Sequence, residues 1–354
     1  MKKKLLIITL ALSLQCINAQ VLESDDFTAL TVGNIGTDLS GATAGQGGWY
    51  IVNGLATDYQ VVTQTSPYGN AVQLTGESST VTNTARYFFK TGLATSWGTR
   101  TAGNDIVEVE FDLNTGALSA SRNSFQCRIY NSVGQTLAGI LLEKNYTATS
   151  TSTVLIPNAL RGVARATQGT STGTYSFSFG PDTATQLVFP DDTWIRVGFS
   201  WNKTTGQVIW RAPGLNAGLI GAGATMDPDE IDFLAVNSST TGVPNTVAAS
   251  AYIDNYVARA SSTDTLLGVE TKTRSVVVST YPNPTVDVIN VYNSNNLELS
   301  SYKVIDLKGT VIKSGVLNNT IDQKINVSDL ATGAYMLKLN TTDNNTITKK
   351  IIKN

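Results

Sequence analysis

The sequence predicts an all-β protein made of two consecutive sandwiches, a large one over residues 20–261 and a small one over residues 276–354. Two observations predict it. Apolar and polar residues alternate with period two in many short runs, and those runs are separated by turns rich in Gly, Thr and Asn. No stretch carries the 3.6-residue period of an amphipathic helix, and 354 residues are enough for two separate cores.

The elements follow in chain order. Met1 and three lysines precede an apolar run over residues 5–12, and Ile17-Asn18-Ala19 ends it with a small residue. This is the layout of a secretory signal peptide, residues 1–19, cleaved after Ala19. The run is shorter than the ~20 residues a spanning helix needs. Cys16 leaves with it, so Cys127 stands alone and no intrachain disulfide is expected.

In the large region, Val107, Val109, Phe111 and Leu113 share one strand face, with Glu108, Glu110 and Asp112 on the other. The three acids are expected to form the solvated side of a half-buried strand. Phe125, Cys127 and Ile129 alternate with Gln126, Arg128 and Tyr130. Ile195, Val197, Phe199 and Trp201 do the same before the turn at 202–206 leads into Gln207-Val208-Ile209-Trp210. Many such strands in ~240 residues predict two packed sheets. Residues 262–275 are polar, lack alternation and are expected to be a linker. Seven further strands are predicted at 275–281, 287–292, 302–306, 311–316, 324–327, 334–339 and 347–352, which fits a small immunoglobulin-like sandwich.

Composition excludes several function classes. Net charge is −2, only 15% of residues are charged, and no basic stripe exists to bind nucleic acid. No later segment approaches membrane-spanning length without charges or glycines. There is no histidine, which removes Ser-His-Asp triads, Cys-His pairs and most zinc enzymes.

Three landmarks near the C-terminus carry a resemblance. They are Tyr281-Pro282-Asn283-Pro284, then Val304-Ile305-Asp306-Leu307-Lys308-Gly309, then Val327-Ser328-Asp329-Leu330-Ala331-Thr332-Gly333-Ala334-Tyr335, with Lys349-Lys350 in the last strand. The prolines fix φ and keep the entry extended. Gly309 and Gly333 supply backbone freedom for turns. In this order, behind a signal peptide, the segment resembles the type A sorting domain of the type IX secretion system. The resemblance implies export by that machinery in a Gram-negative bacterium, removal of the sorting domain, and release or attachment at the outer cell surface.

Asp25-Asp26-Phe27, Gly45-Gln46-Gly47-Gly48-Trp49, Trp194-Ile195-Arg196-Val197 and Tyr252-Ile253-Asp254-Asn255-Tyr256-Val257 are similar to concanavalin A-like, laminin G-like jelly rolls. That family holds lectin-like modules, adhesion modules and polysaccharide hydrolases, so the fold leaves function open. Laminarinase-like hydrolases of this fold carry a Glu-x-Asp-x-Glu strand, or one with an extra residue before the last Glu. Glu230-Ile231-Asp232-Phe233-Leu234 ends in Ala235, and Glu110-Phe111-Asp112-Leu113 ends in Asn114. Neither completes the set, which leaves Glu108 and Glu110 as the catalytic alternative.

The expected function is non-catalytic recognition of a polysaccharide or other surface, because sugars dock their CH faces on aromatic rings while planar polar groups take the hydroxyls. Trp97, in a Gly- and Thr-rich stretch, is expected to be the exposed ring. Gln126, Arg128, Tyr130, Arg196 and Arg211 supply the polar contacts, while Trp201 and Trp210 belong to the core and Trp49 is a core residue or a loop anchor. The alternatives are a polysaccharide-cleaving hydrolase and a structural adhesin without a small ligand. No cofactor is required. The jelly-roll resemblance implies a structural calcium, with Asp26 and Asp254 as oxygen donors. Asp264-Thr265-Leu266 in the linker resembles a bacterial O-glycosylation triplet and is expected to be reachable.

Overall fold

A computed structural model describes residues 19–65, 68–82, 84–149, 151–180, 185–240, 242–266, 278–293, 299–306, 309–317, 322–341 and 346–354. The signal-peptide residues 1–18 and residues 267–275 of the expected linker lie outside the described residues. The chain divides into two compact units, residues 1–269 and 270–354.

The first unit is a jelly-roll sandwich of two antiparallel sheets. The nine-stranded sheet runs, edge to edge, Leu215–Ile220, Gln207–Ala212, Trp194–Asn202, Ile106–Asn114, Ser250–Ser261, Asn70–Thr75, Tyr59–Thr63 and Gly33–Asn34, and Gln20–Asp25 also pairs with Ser250–Ser261. The eight-stranded sheet runs Ser171–Ser178, Ile156–Gln168, Thr136–Tyr146, Asn123–Tyr130, Glu230–Asn237, Ala85–Lys90 and Trp49–Val52, and Leu187–Val188 pairs with Ile156–Gln168. The strand Ser250–Ser261 serves two neighbours on one edge. A bulge between Asp254 and Val257, with Asn255 at φ 48°, redirects it between them. Its first half pairs with Asn70–Thr75 and its second half with Gln20–Asp25.

The alternation places the core as expected. Val107, Val109, Phe111 and Leu113 face Phe125, Cys127, Ile129 and Phe233 across the sandwich, and Phe111 meets Phe233 edge to face with ring centroids 5.2 Å apart. Trp49, Trp201 and Trp210 are all buried in this core. Cys127 is fully buried and desolvation holds its thiol well above the usual range, so it is a small core hydrophobe and not a nucleophile.

One local element departs from the sequence reading. Residues expected to form a loop make the short α-helix Leu93–Gly98, which buries Leu93 and Trp97 one turn apart. Six residues are too few to show a helical period against a Thr- and Gly-rich background.

The second unit has a three-stranded and a four-stranded sheet among its described residues, and all seven strands fall where alternation placed them. Its core contains Ile289, Val291, Val304, Leu337, Leu339 and Ile351. Asn283 ties the entry to the last strand: its Nδ2 donates to the Lys350 carbonyl at 2.9 Å, and its Oδ1 accepts from the Ile352 amide at 2.8 Å. Gly309 sits at φ 90°, where a side chain would be strained. Gly333 is not among the positive-φ glycines and opens the strand Gly333–Thr341, so the turn role expected for it is not needed.

Candidate functional site

The two outer faces of the large sandwich carry the candidate residues. On the nine-stranded sheet, cross-strand register sets Glu108 between Ser200 and Arg259, Glu110 opposite Gly198 and Val257, and Asp112 between Arg196 and Asp254. Glu108 and Glu110 were expected in solvent. Instead Glu108 is 0% exposed and Glu110 7% exposed. Two arginines grip the ladder. Arg196 lies 3.1 Å from Glu110 and 3.5 Å from Asp112, while Arg259 pairs with Glu110 and approaches Glu108 at 3.6 Å.

The start of the expected linker closes this face. Ser261 Oγ donates to Glu108 at 2.8 Å, Thr265 donates to the same carboxylate through both its amide and its hydroxyl, and Ser200 Oγ donates to Asp264 at 2.7 Å. Leu266 is 3% exposed and packs over Gly198, where a Cβ would come within 2.8 Å of it. Residues 262–266 thus form a strap rather than a free linker. The Thr265 hydroxyl, expected to be reachable, is engaged by Glu108. Polar composition hid this packing, because the strap's partners are themselves polar. The carboxylates proposed as catalytic alternatives are therefore structural ion-pair members.

Other expected site residues are also relocated. Trp97 is 2% exposed; its Nε1 donates to Asp227 at 2.8 Å and the Arg100 guanidinium stacks 3.7 Å from its ring centre. It is a buried anchor, not a sugar platform. Arg196 and Arg211 lie on the nine-stranded sheet, so they do not join Gln126, Arg128 and Tyr130. Asp26 Oδ1 accepts from Thr28, and both Asp254 oxygens accept from Asn255. No group of three or more His, Cys, Asp or Glu that could hold a metal ion occurs among the described residues.

Gln126, Arg128 and Tyr130 do lie together on the outer side of the eight-stranded sheet's centre, but Gln126 is buried at 7% exposure and Arg128 and Tyr130 are half-buried. Register assembles two rows around them. One runs Tyr50, Phe89, Asp232, Arg128, Gly139, Val163; the next runs Val52, Tyr87, Leu234, Gln126, Leu141, Arg161. Directly opposed side chains in such rows are neighbours, about 5 Å apart at Cβ. Tyr50 and Phe89 stack with ring centroids 5.3 Å apart, and Tyr87 lies 6.1 Å from Phe89. Gly139 lets the Arg128 stem cross flat, since a Cβ there would come within 2.9 Å of Arg128 Cγ.

The electrostatics of this face differ from those of the other. Burial first, and the adjacent Glu230 carboxylate second, hold Asp232 well above the usual carboxylate range. Burial likewise raises Glu230 and Glu143 and pushes the Tyr87 and Tyr130 phenols up. Asp232 Oδ1, Gln126 Oε1 and Arg128 Nε are buried without a hydrogen-bond partner. Tyr50, Tyr87 and Phe89 carry no local cue for this site, because they come from strands far apart in the chain, whereas Glu230 and Asp232 are the incomplete Glu-x-Asp-x-Glu pattern of their strand. Tyr68 and Trp194, another stacked pair with centroids 4.0 Å apart, belong to the opposite sheet's surroundings. There the nearby polar groups are engaged: Asn114 Oδ1 accepts from Gly116, and Asp112 accepts from Asn255.

Comparison with known proteins separates the two units. Residues 279–354 match the family described as the secretion system C-terminal sorting domain. This agrees with the type IX landmarks at Pro282, Asn283, Pro284 and Tyr335 and marks the protein for export by that route. No curated protein sequence matches the chain. Among solved structures, a sialidase aligns over 69% of this chain and 19% of its own at 11% identity and a TM-score of 0.40. The marine PL-14 alginate lyase from Aplysia kurodai aligns over 68% and 99% at 9% identity and 0.40. The Bacillus licheniformis β-glucanase aligns over 65% and 96% at 12% identity and 0.35. The chain thus spans about a fifth of that sialidase's length, and the fold stands on its own strand order.

Proposed function

We propose that this is an exported carbohydrate-recognition protein, released or held at the outer cell surface, whose large domain binds glycan on the outer face of the eight-stranded sheet. The supporting observation is the row Tyr50, Phe89, Asp232, Arg128, where stacked rings adjoin Asp232 Oδ1 and Arg128 Nε, two atoms without a hydrogen-bond partner. Rings take the CH faces of a sugar, and the carboxyl, amide and guanidinium take its hydroxyls. The type IX machinery is the transport partner.

The test is retention of the chain from residue 20 onward on a polysaccharide panel, with Arg128→Ala weakening it several-fold. No retention on any glycan sinks the reading. A second reading is glycan cleavage by Glu230 and Asp232, favoured by the raised pKa of these two adjacent carboxyls, Glu230 half-buried and Asp232 buried on the outer side of the sheet. Apolar Leu234 and Ala235 supply no third acid on this strand. Reducing-sugar release in the same wells, abolished by Glu230→Gln, would replace binding with catalysis.

A further inference from the structure

Four arginines lie on or beside the eight-stranded sheet's outer face: Arg122 just before the strand Asn123–Tyr130, Arg128 within it, and Arg161 and Arg165 on Ile156–Gln168. Each has a buried Nε without a hydrogen-bond partner, and Arg122 Nη1 lacks one too. Arg122 itself is 3% exposed, its Nη2 donating to Thr147 at 3.2 Å. The acids on this face are Glu143, Glu230 and Asp232. Glu143 pairs with Arg161 at 3.2 Å, and Glu230 and Asp232 crowd each other.

We infer that the glycan taken by this face is an acidic polysaccharide, its carboxylate or sulfate groups received by Arg128 and Arg165 with Arg161 beside them. This rests on the glycan-binding reading proposed above. A guanidinium presents a planar fork of N–H donors that matches carboxylate and sulfate oxygens, and charge-assisted bonds to it are about twice as strong as neutral ones. A buried donor left unpaired is costly, so a ligand oxygen that draws the guanidinium outward relieves a cost already present. Arg128 stands two strands from Arg161 and Arg165, which flank its row on either side, so successive anionic groups along one chain meet successive arginines. Burial raises all three acids above their ordinary values, while Arg161 and Arg122 draw Glu143 back down.

The experiment is affinity electrophoresis of the chain from residue 20 onward, in gels holding polygalacturonate, dextran sulfate or a neutral β-glucan. Retardation by polygalacturonate assigns carboxylate recognition, and by dextran sulfate alone, sulfate recognition. Either is expected to weaken about tenfold in Arg128→Gln and Arg165→Gln, and nearly as much in Arg128→Lys, which keeps the charge and loses the fork. Thermal melts of the variants confirm folding, and Arg165→Gln serves if Arg128→Gln does not fold. Equal loss in Arg211→Gln, on the opposite sheet, would overturn the inference as general charge attraction. Retardation by the neutral glucan alone would overturn it and leave the binding face standing. Retardation by none of the three, or by any other glycan tested, would remove both.

Discussion

The two outer faces of the large sandwich use similar residues to opposite ends. On the nine-stranded sheet, Glu108, Glu110 and Asp112 meet Arg196 and Arg259, and a strap of the chain's own residues covers Glu108. On the eight-stranded sheet, Asp232 and Arg128 stand beside aromatic rings with polar atoms unmatched. A glycine marks each face. Gly198 admits Leu266, which seals, and Gly139 admits the stem of a half-buried Arg128. Acids and arginines on a sheet face therefore do not by themselves indicate a site. What distinguishes the faces is that one is crossed by shared ion pairs and a strap, while the other sets stacked rings beside its polar groups.

The largest expected effect lies on the sealed face. Glu108→Ala strands Arg259 and the Thr265 donors, and is expected to cost about 3 kcal/mol of stability, read from urea unfolding, without changing glycan affinity of the folded protein. An unchanged midpoint would show that the strap is not held through Glu108. Trp97→Ala is expected to cost about 3 kcal/mol through the cavity it leaves. If it instead abolished binding with stability intact, the ring would have to be a platform after all. On the open face, Tyr50→Ala is expected to leave the melting temperature nearly unchanged and weaken binding by about 1 kcal/mol, the worth of one aromatic contact. Loss of stability with intact binding would reverse the comparison there.

The smallest effect concerns a group on neither face. Burial pushes the Glu23 carboxyl up to about 7, while the Tyr256 hydroxyl donates to it at 3.1 Å. A folded-state pKa raised above the unfolded value means the native state holds the proton more tightly. Its contribution is complete below about pH 4.5 and is lost as pH rises through about 7. Glu23→Gln is expected to flatten the fall in melting temperature over that window. A fall of the same size in the variant would place its origin elsewhere, with Asp232 the next group to replace.

Period-two alternation made the all-β class, the seven C-terminal strands and the core faces around Phe111 and Cys127 legible, because a strand's side-chain direction is set by local backbone geometry. The outward set Gln126, Arg128 and Tyr130 was legible for the same reason. Trp97 was misplaced because burial depends on what packs above a residue, and a Thr- and Gly-rich flank says nothing about Asp227 or Arg100. Glu108 and Glu110 were misplaced because the strap and both arginines reach them from positions 86 to 157 residues away.

By itself the sequence determined the C-terminal sorting address, since its landmarks are short local motifs, and the strand content, since alternation is local. Only the tertiary structure decided which acids are tied and which face is open. Sheet order sets Tyr50, Phe89, Asp232 and Arg128 in one row from four separated strands, and satisfaction of a polar group depends on neighbours in space, which no single stretch of sequence contains.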